Sequence, residues 1–235
     1  MPLKLAGTDR DGWIAKPPGV PGWPQRPTLV APDRLRQRGV GTLPGRASLP
    51  HALAHIESNA IDLALDLVWR FCGMPARFYL EWLQVAREEA LHFQMLEQHL
   101  GSLGFAYGDF PAHDGLWEIA QRTRGDLLAR LAPLPRTLEA RGLDAAPPIS
   151  AKLASVGDQR GAAILDIILR DEIGHVAIGN RWYLQLCLQR GLDPVAAYPS
   201  LAKNYRAAPL RGPFNVKARL AAGVTQAELD SLLHT

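Results

Sequence analysis

Hydrophobic residues recur three and four positions apart along most of the chain, which is the period of an α-helix that buries one face. The pattern predicts four principal helices, named A to D. Helix A covers about residues 50–70, with Ser48 placed to cap it, and Gly73 follows its end. Helix B starts at Pro75, a residue that suits a first helical turn, and runs to about residue 100.

Helices C and D form the second half of the pattern. Helix C covers about residues 115–142, with a disturbance at Pro133 and Pro135. Helix D covers about residues 158–190, with Asp158 as its N-cap. No alternating pattern predicts paired strands, so the sequence indicates an all-α four-helix bundle with a long connection between B and C.

The residue pattern at both ends of the chain differs from the helical pattern of the bundle. Nine of the 19 prolines lie within residues 1–50 and predict an extended arm, because proline fixes its own φ and removes a backbone donor. Trp13, Trp23, Leu29 and Val30 give this arm apolar side chains that can pack on the bundle.

Prolines also interrupt the chain after Gly191, which predicts an irregular tail. A short final helix begins at Thr225, which forms a capping box with Glu228. The chain therefore divides into a proline-rich arm at 1–49, a helical domain at 50–191 and a C-terminal extension at 192–235.

Two pairs of a glutamate and a histidine three residues apart carry the candidate chemistry. Glu89 and His92 lie in helix B, and Glu172 and His175 lie in helix D, so each pair shares one helix face. Composition alone predicts about 0.3 such pairs. The spacing is therefore suggestive, and the accompanying residues strengthen it.

A glutamate precedes each pair at nearly the same distance. Glu57 lies 32 residues before Glu89, and Glu139 lies 33 residues before Glu172. This resembles two copies of one helix pair, which is how ferritin-like di-metal bundles are built. Glu57 and Glu89 each lie roughly 20 Å from the turn between their helices, so they are expected at the same height.

Glu139 fits this scheme least well. Residues 143–157 contain Pro147 and Pro148 and predict a connection that travels back along the bundle before helix D begins. Simple counting along that path places Glu139 at a different height from Glu172. Residues 143–157 are nevertheless long enough for the chain to travel back along the bundle before helix D begins.

Apolar neighbours on the same helix faces predict that Glu57, Glu89 and Glu172 point into the core. Unpaired carboxylates there would cost several kcal/mol each, and two divalent cations would neutralise four of them. An oxygen-rich ligand set with one imidazole per metal favours two iron ions, or manganese or a mixed pair, over zinc. The predicted metal ligands are Glu57, Glu89, His92, Glu139, Glu172 and His175.

Several neighbours have competing interpretations. His51 and His55 point away from the face of Glu57, which favours a supporting role. Asp171 is placed either to accept a hydrogen bond from a ligand histidine or to face solvent. Residues 107–114 form either a lid or a rigid turn with Asp114 as a cap. Four other glutamates are expected on exposed helix positions: Glu81, Glu88, Glu97 and Glu118.

Five long motifs stand out in this chain: HALAHIESNAIDLALD, EEALHF, YGDFPAHDGLWE, PRTLEARGLD and DEIGHVAIGNRW. They resemble the ferritin-like proteins of the DUF455 family, and the likeness covers most of residues 20–220. The resemblance implies the bundle and the metal site but no substrate. A more distant similarity to ferritin-like di-iron tRNA hydroxylases, through the Glu and Glu-x-x-His pattern, implies an oxygen-using enzyme.

Three functions compete. The first is an oxidoreductase or hydroxylase that activates O2, acts on a small molecule or a modified nucleotide, and needs an electron donor. The second is a ferroxidase or iron-handling protein. The third is a metal-free helical scaffold in which Arg87 or Arg170 pairs with the buried acids.

Composition adds only broad limits. A hydrophobic content of 47% with 21% charged residues is ordinary for a globular domain, and a net charge of +3 does not require an anionic partner. Cys72 and Cys187 lie far apart, and the sequence shows no signal peptide or membrane span, which predicts a cytoplasmic protein. A homodimer is compatible with a bundle of this size.

Overall fold

The computed structural model describes residues 24–35, 38–207 and 209–233, and this part of the chain is mainly helical without a β-strand. The predicted all-α bundle is confirmed. None of the described helices combines the length and apolar character needed to cross a membrane. The helices are α1 (Leu43–Arg70), α2 (Ala76–Ser102), α3 (Gly115–Arg122), α4 (Leu127–Leu131), a π-helix (Leu134–Glu139), α5 (Ala140–Ser155), α6 (Gln159–Gln189), α7 (Pro194–Asn204), α8 (Val216–Ala221) and α9 (Gln226–Leu233).

Four helical segments build the bundle: α1, α2, the π-helix with α5, and α6. α1 packs along α2, α5 packs along α6, and α2 joins the two pairs by packing on α6. His99 near the end of α2 donates to Asp158 at the start of α6 over 2.9 Å. At the other end, Phe78 packs on Trp182 with ring centroids 5.2 Å apart. α2 and α6 are therefore antiparallel.

The long connection between α2 and α4 runs back along the bundle. α5 and α2 point in the same direction, so residues 103–126 must return the chain to the opposite end before α4 begins. Arg190 at the end of α6 pairs with Asp126 at the start of α4 over 2.8 Å, which fixes that arrival point. The arm meets this connection, since the backbone N–H of Val30 donates to the carbonyl of Ala112 over 2.8 Å. Trp13 and Trp23 lie outside the described residues.

The first helix starts earlier than the sequence predicts. Its N-cap is Thr42, whose hydroxyl accepts from the N–H of Gly45 over 3.2 Å, whereas Ser48 lies inside the helix. Pro44 and Pro50 both suit a first turn, and the structure uses Pro44. Pro75 is likewise the N-cap of α2 rather than its first helical residue.

The second prediction to fail is the break after helix C. Residues 140–155 form α5, with Pro147 and Pro148 inside it. Pro147 leaves the carbonyl of Leu143 without its usual intrahelical donor. The side-chain amide of Asn215 donates to that carbonyl over 3.1 Å, so the C-terminal extension supplies the missing bond.

The C-terminal extension is more helical than the predicted irregular tail. α7 and α8 form despite the nearby prolines. The predicted capping box is present, because the carboxylate of Glu228 accepts from the N–H of Thr225 over 2.8 Å. Arg219 anchors the extension on α5 through Asp144 at 2.6 Å.

Candidate metal centre

The two Glu-x-x-His pairs face each other across the bundle. Glu89 and His92 lie on the inner face of α2, and Glu172 and His175 lie on the inner face of α6. Because α2 and α6 are antiparallel, the direction from glutamate to histidine in one pair is opposite to that in the other pair. The imidazole rings of His92 and His175 lie 5.8 Å apart, measured between centroids.

Four of the predicted ligands form one buried cluster. Ligand atoms of Glu57, Glu89, His92 and Glu172 all lie within 4.8 Å of one another. Nδ1 of His92 lies 3.3 Å from Glu89 and 3.6 Å from Glu57. The cluster could hold a metal ion.

The remaining two predicted ligands adjoin this cluster. Nδ1 of His175 lies 3.1 Å from Oε1 of Glu89 and 3.6 Å from Glu172. Glu139 ends the π-helix, and its carboxyl interacts electrostatically with Glu172, Glu89 and His175. π-helical turns occur frequently at functional sites. Metal binding by all six residues stays a prediction.

The continuous α5 helix corrects the expected height of Glu139. Glu139 precedes the end of α5 by 16 residues, and Glu172 follows the start of α6 by 13. At about 1.5 Å per residue the two carboxyls lie roughly 20–24 Å from the same turn. The π-helix also lies close to α6, because a Cβ added to Gly179 would meet Pro135.

Each histidine is supported by an acidic residue from the opposite helix. Nε2 of His92 donates to Asp171 over 3.2 Å, which confirms the predicted supporting contact. Nε2 of His175 donates to Glu88 over 2.8 Å. Glu88 was expected to be an exposed position, and that expectation is wrong. Both Nδ1 atoms consequently face the carboxylates of the cluster, and each could bind a metal once its ring has lost a proton.

Glu88 could have been found from the sequence. An acidic residue directly precedes the glutamate of each pair: Glu88 precedes Glu89, and Asp171 precedes Glu172. The repeated Glu-x-x-His motif therefore extends by one position toward the N-terminus. Asp171, which is the acidic residue of the second copy, is a candidate from the sequence, and Glu88 is its counterpart in the first copy. Glu81 is also misplaced by the prediction, because it pairs with Arg77 at 2.7 Å and Arg181 at 2.6 Å.

Buried polar atoms at the centre lack partners. Oε2 of Glu139 and Oε2 of Glu172 have no hydrogen-bond partner among the described residues. Leaving a buried acceptor unsatisfied costs about 1–3 kcal/mol. Carboxylate oxygens and an imidazole nitrogen are the donor set that iron or manganese accepts, so these residues fit a metal.

The electrostatics of the carboxyl groups also fit a cation. Burial and then the charge of Glu89 raise the pKa of Glu57 well above its usual range. Burial and then Glu172 raise the pKa of Glu139 to about 8. Burial alone would raise the pKa of Glu89, but hydrogen bonds with Glu57, His175 and His92 lower it. The carboxyl groups lie close together, and a cation among them would stabilise their ionised forms.

The histidines supply that charge as protons in the metal-free chain. Burial by itself would lower the pKa of His92, but Glu57 and Glu89 outweigh it and raise the pKa to about 10. Glu172 and Glu89 likewise outweigh burial at His175 and raise its pKa to about 12. A bound metal would replace these protons.

The other candidates lie outside the cluster. Nδ1 of His55 bonds the hydroxyl of Tyr107 over 2.9 Å, and Nε2 of His51 accepts from the N–H of Gly108 over 2.9 Å. These two histidines thus anchor residues 107–114 to α1. Asp114 occupies the N-cap position of α3 without a side-chain cap bond.

The arginines proposed for a metal-free scaffold do not pair with the buried acids. Arg87 is exposed. Arg170 bonds Asp171 over 2.8 Å and is also exposed. Within the described ranges, histidines are the cationic partners of Glu57, Glu89 and Glu172.

The fold and the site define an all-helical bundle with a buried glutamate and histidine cluster that could bind a metal ion. The chain belongs to the family described as protein of unknown function (DUF455), whose pattern matches residues 4–230. It is 49% identical over 218 residues to an uncharacterized protein of Haemophilus influenzae. The aligned region covers 90% of this chain and 76% of that relative. No solved structure matches the chain. The resemblance to DUF455 is confirmed.

Proposed function

We propose that this chain is a ferritin-like di-metal carboxylate protein. The observation that carries the proposal is the mirrored arrangement of the two Glu-x-x-His pairs, in which each histidine is held by the acidic residue that precedes the other pair. A bundle of this design takes one further glutamate from each of two other helices. Glu57 on α1 and Glu139 at the end of the π-helix occupy those places.

The contacts of Glu89 favour two metals over one. Its Oε2 lies 3.3 Å from Nδ1 of His92, and its Oε1 lies 3.1 Å from Nδ1 of His175. One carboxylate between two imidazoles suits a bridging ligand. Glu89 and Glu172 would hold both metals. Glu57 and His92 would hold one of them, and Glu139 and His175 would hold the other.

The donor set favours iron, and an O2-activating oxidoreductase or hydroxylase is the activity we propose. Bound iron would supply Lewis acidity and redox chemistry with dioxygen. The chain fixes the ligands: Asp171 and Glu88 hold the two imidazole rings, and burial of Glu89 and His175 keeps bulk water away. The substrate is a small molecule or a modified nucleotide, and an external electron donor is required.

Elemental analysis tests the proposal. Protein from iron-supplemented and manganese-supplemented cultures is compared with the Glu89→Ala, Glu172→Ala double variant and with Glu97→Ala, an exposed α2 control. We expect about two metal ions per chain in the parent and the control, and loss of both in the double variant. Folded, metal-free parent protein from both cultures would refute the proposal.

Oxygen consumption distinguishes the proposed enzyme from an iron-handling protein. The iron-loaded chain is reduced chemically and mixed with O2 in the presence and absence of candidate substrates. Substrate-dependent O2 consumption supports the oxidoreductase. Retention of many iron atoms per chain without such consumption would instead identify an iron-handling protein.

A further inference from the structure

A second cavity lies away from the metal centre, between the π-helix and the C-terminal extension. Its volume is about 310 Å³, which falls within the range of small-molecule pockets. One wall is formed by Arg136 of the π-helix. The facing walls come from α7 and from the segment that contains α8 and α9. The metal ligands do not line it.

Arg136 carries a buried donor without a partner. Its side chain is 6% exposed, and its Nη2 pairs with Glu228. The guanidinium stacks on Tyr183 at 4.1 Å and on Tyr198 at 5.3 Å, so its position is fixed. Nη1 is buried and has no hydrogen-bond partner in the described part of the chain. A buried charged donor without a partner is unfavourable, and a ligand acceptor would remove that penalty.

The charge of the wall favours an anion. Arg219 is satisfied by Asp144, at 2.6 Å and 3.0 Å, and Glu228 neutralises Arg136. Lys203 is exposed on the cavity rim and forms no ion pair with the described residues. The wall therefore has one cation in excess. A carboxylate that accepts from Nη1 of Arg136 would form a charge-assisted bond and would balance that excess.

Apart from Tyr198 and Ser231, the rest of the lining is apolar. Val195 and Pro199 of α7 face Leu210, Val224 and Leu232 across the cavity. Apolar walls with a small number of fixed polar groups are typical of pockets that bury the body of a ligand and orient its charged end. The cavity thus fits an apolar molecule that ends in one negative charge.

We propose that this cavity binds a small monocarboxylate with an apolar body, whose carboxylate pairs with Arg136. The site is independent of the proposed metal chemistry, because its charged residues are not metal ligands. The ligand class follows from the buried, unpartnered guanidinium nitrogen and the apolar walls together.

Octanoate is the probe, with octan-1-ol and octylamine as controls of the same chain length. Each is titrated into the full chain while amide resonances are followed by NMR. We expect octanoate to shift the resonances of residues that line the cavity and to bind at least about tenfold more tightly than either control. Equal binding of all three probes, or no shifts up to about 10 mM octanoate, would overturn the proposal.

Variants separate the pocket from a general effect on folding. Ala202→Phe fills the cavity from α7, and Ala196→Phe adds the same ring at an exposed position of α7 outside the lining. We expect the first to abolish octanoate binding and the second to leave it unchanged. Unchanged binding in Ala202→Phe would refute the site.

Charge variants test the assigned contact. Arg136→Gln should weaken octanoate binding by about tenfold or more and leave octan-1-ol binding unchanged. Lys203→Gln, at an exposed position that should not affect folding, should weaken it by a smaller factor. Metal content is measured in both variants, so that failure of this site is not confused with failure of the metal centre. If Lys203→Gln and a folded Arg136→Gln both bind octanoate like the parent, the assignment is wrong.

Discussion

Each histidine of the candidate metal centre is oriented by a residue from the opposite helix. Asp171 of α6 holds His92 of α2, and Glu88 of α2 holds His175 of α6. Since the outer nitrogen of each ring is bound to a carboxylate, the inner Nδ1 is left to face the other ligands. The contact of Asp171 with His92 is therefore equivalent in position to that of Glu88 with His175, although the glutamate side chain is longer than the aspartate side chain.

Removal of either supporting carboxylate should weaken metal binding. Glu88→Gln and Asp171→Asn keep the size of the side chain but reduce its strength as an acceptor, so we expect a loss of about 10–100-fold in metal affinity. Competition with a chelating dye measures this affinity. Glu97→Gln, at an exposed position of α2, should change nothing. Parent-like affinity in both supporting variants would show that the imidazoles are oriented by packing alone.

Metal affinity should rise with pH. The pKa of His92 is raised to about 10 and that of His175 to about 12, so both rings are protonated in the metal-free chain at neutral pH. A metal must displace these protons, and raising the pH lowers that cost. Calorimetric titration in buffers of different ionisation enthalpy should show release of more than two protons per chain at pH 7, because Glu139, whose pKa is raised to about 8, must also lose its proton when metal binds. Binding without proton release would contradict the raised pKa values.

Sequence predicts the local part of this site and misses the part made between helices. A spacing of three residues places Glu89 beside His92 on any helix, so that pairing follows from helix geometry alone. The contact between Glu88 and His175 joins residues 87 positions apart and depends on the bundle. The acidic residue that precedes each pair marks Glu88 as a candidate, but its partner His175 follows only when α2 and α6 are known to be antiparallel.

The π-helix and α5 show how tertiary contacts override local preference. Two adjacent prolines favour a break, yet α5 continues through Pro147 and Pro148. Asn215 donates to the carbonyl of Leu143, and Arg219 donates to the carbonyl of Ala140 over 3.2 Å. Those donors come from the C-terminal extension, about 70 residues further along the chain. Local pattern could not reveal them.

Asn215→Ser should isolate the contribution of this compensation. Serine can still cap α8, as Asn215 does through the N–H of Ala218, but it cannot reach Leu143 as a donor. We expect a loss of about 1 kcal/mol in unfolding free energy, because a hydrogen bond to a buried carbonyl is removed. Urea denaturation measures the loss, and hydrogen exchange should quicken in α5. Faster exchange confined to α8 would show that capping, not the bond to Leu143, was disturbed.

Across the whole molecule, the candidate metal centre joins two helix pairs. Glu57, Glu89 and His92 come from the pair α1 and α2, and the other three ligands come from the segment of the π-helix and α6. Bound metal would therefore link both halves of the bundle. The same ligands destabilise the metal-free fold, because burial and like charge raise the carboxyl pKa values of Glu57 and Glu139. Metal binding and the stability of the metal-free chain would therefore be opposed at this centre.

Glu139→Gln should separate these two effects. The folded chain keeps the proton on Glu139 up to a pKa of about 8, whereas the unfolded chain releases it near the ordinary pKa of 4.5. The folded state thus binds more protons between these values, and stability falls as pH rises through that window. Glutamine cannot ionise, so the metal-free variant should be more stable than the metal-free parent, by a margin that grows from pH 5 to pH 8.

Metal should act in the opposite direction. Iron or manganese at about 100 times its dissociation constant should raise the unfolding temperature of the parent by about 5–10 °C, since ligands that bind only the folded state stabilise it. Glu139→Gln removes one end of the pair and should lose most of that rise. Thermal unfolding followed by circular dichroism, with and without metal, measures both parts. A variant that gains no stability without metal, or that keeps the full rise with metal, would place Glu139 outside the centre.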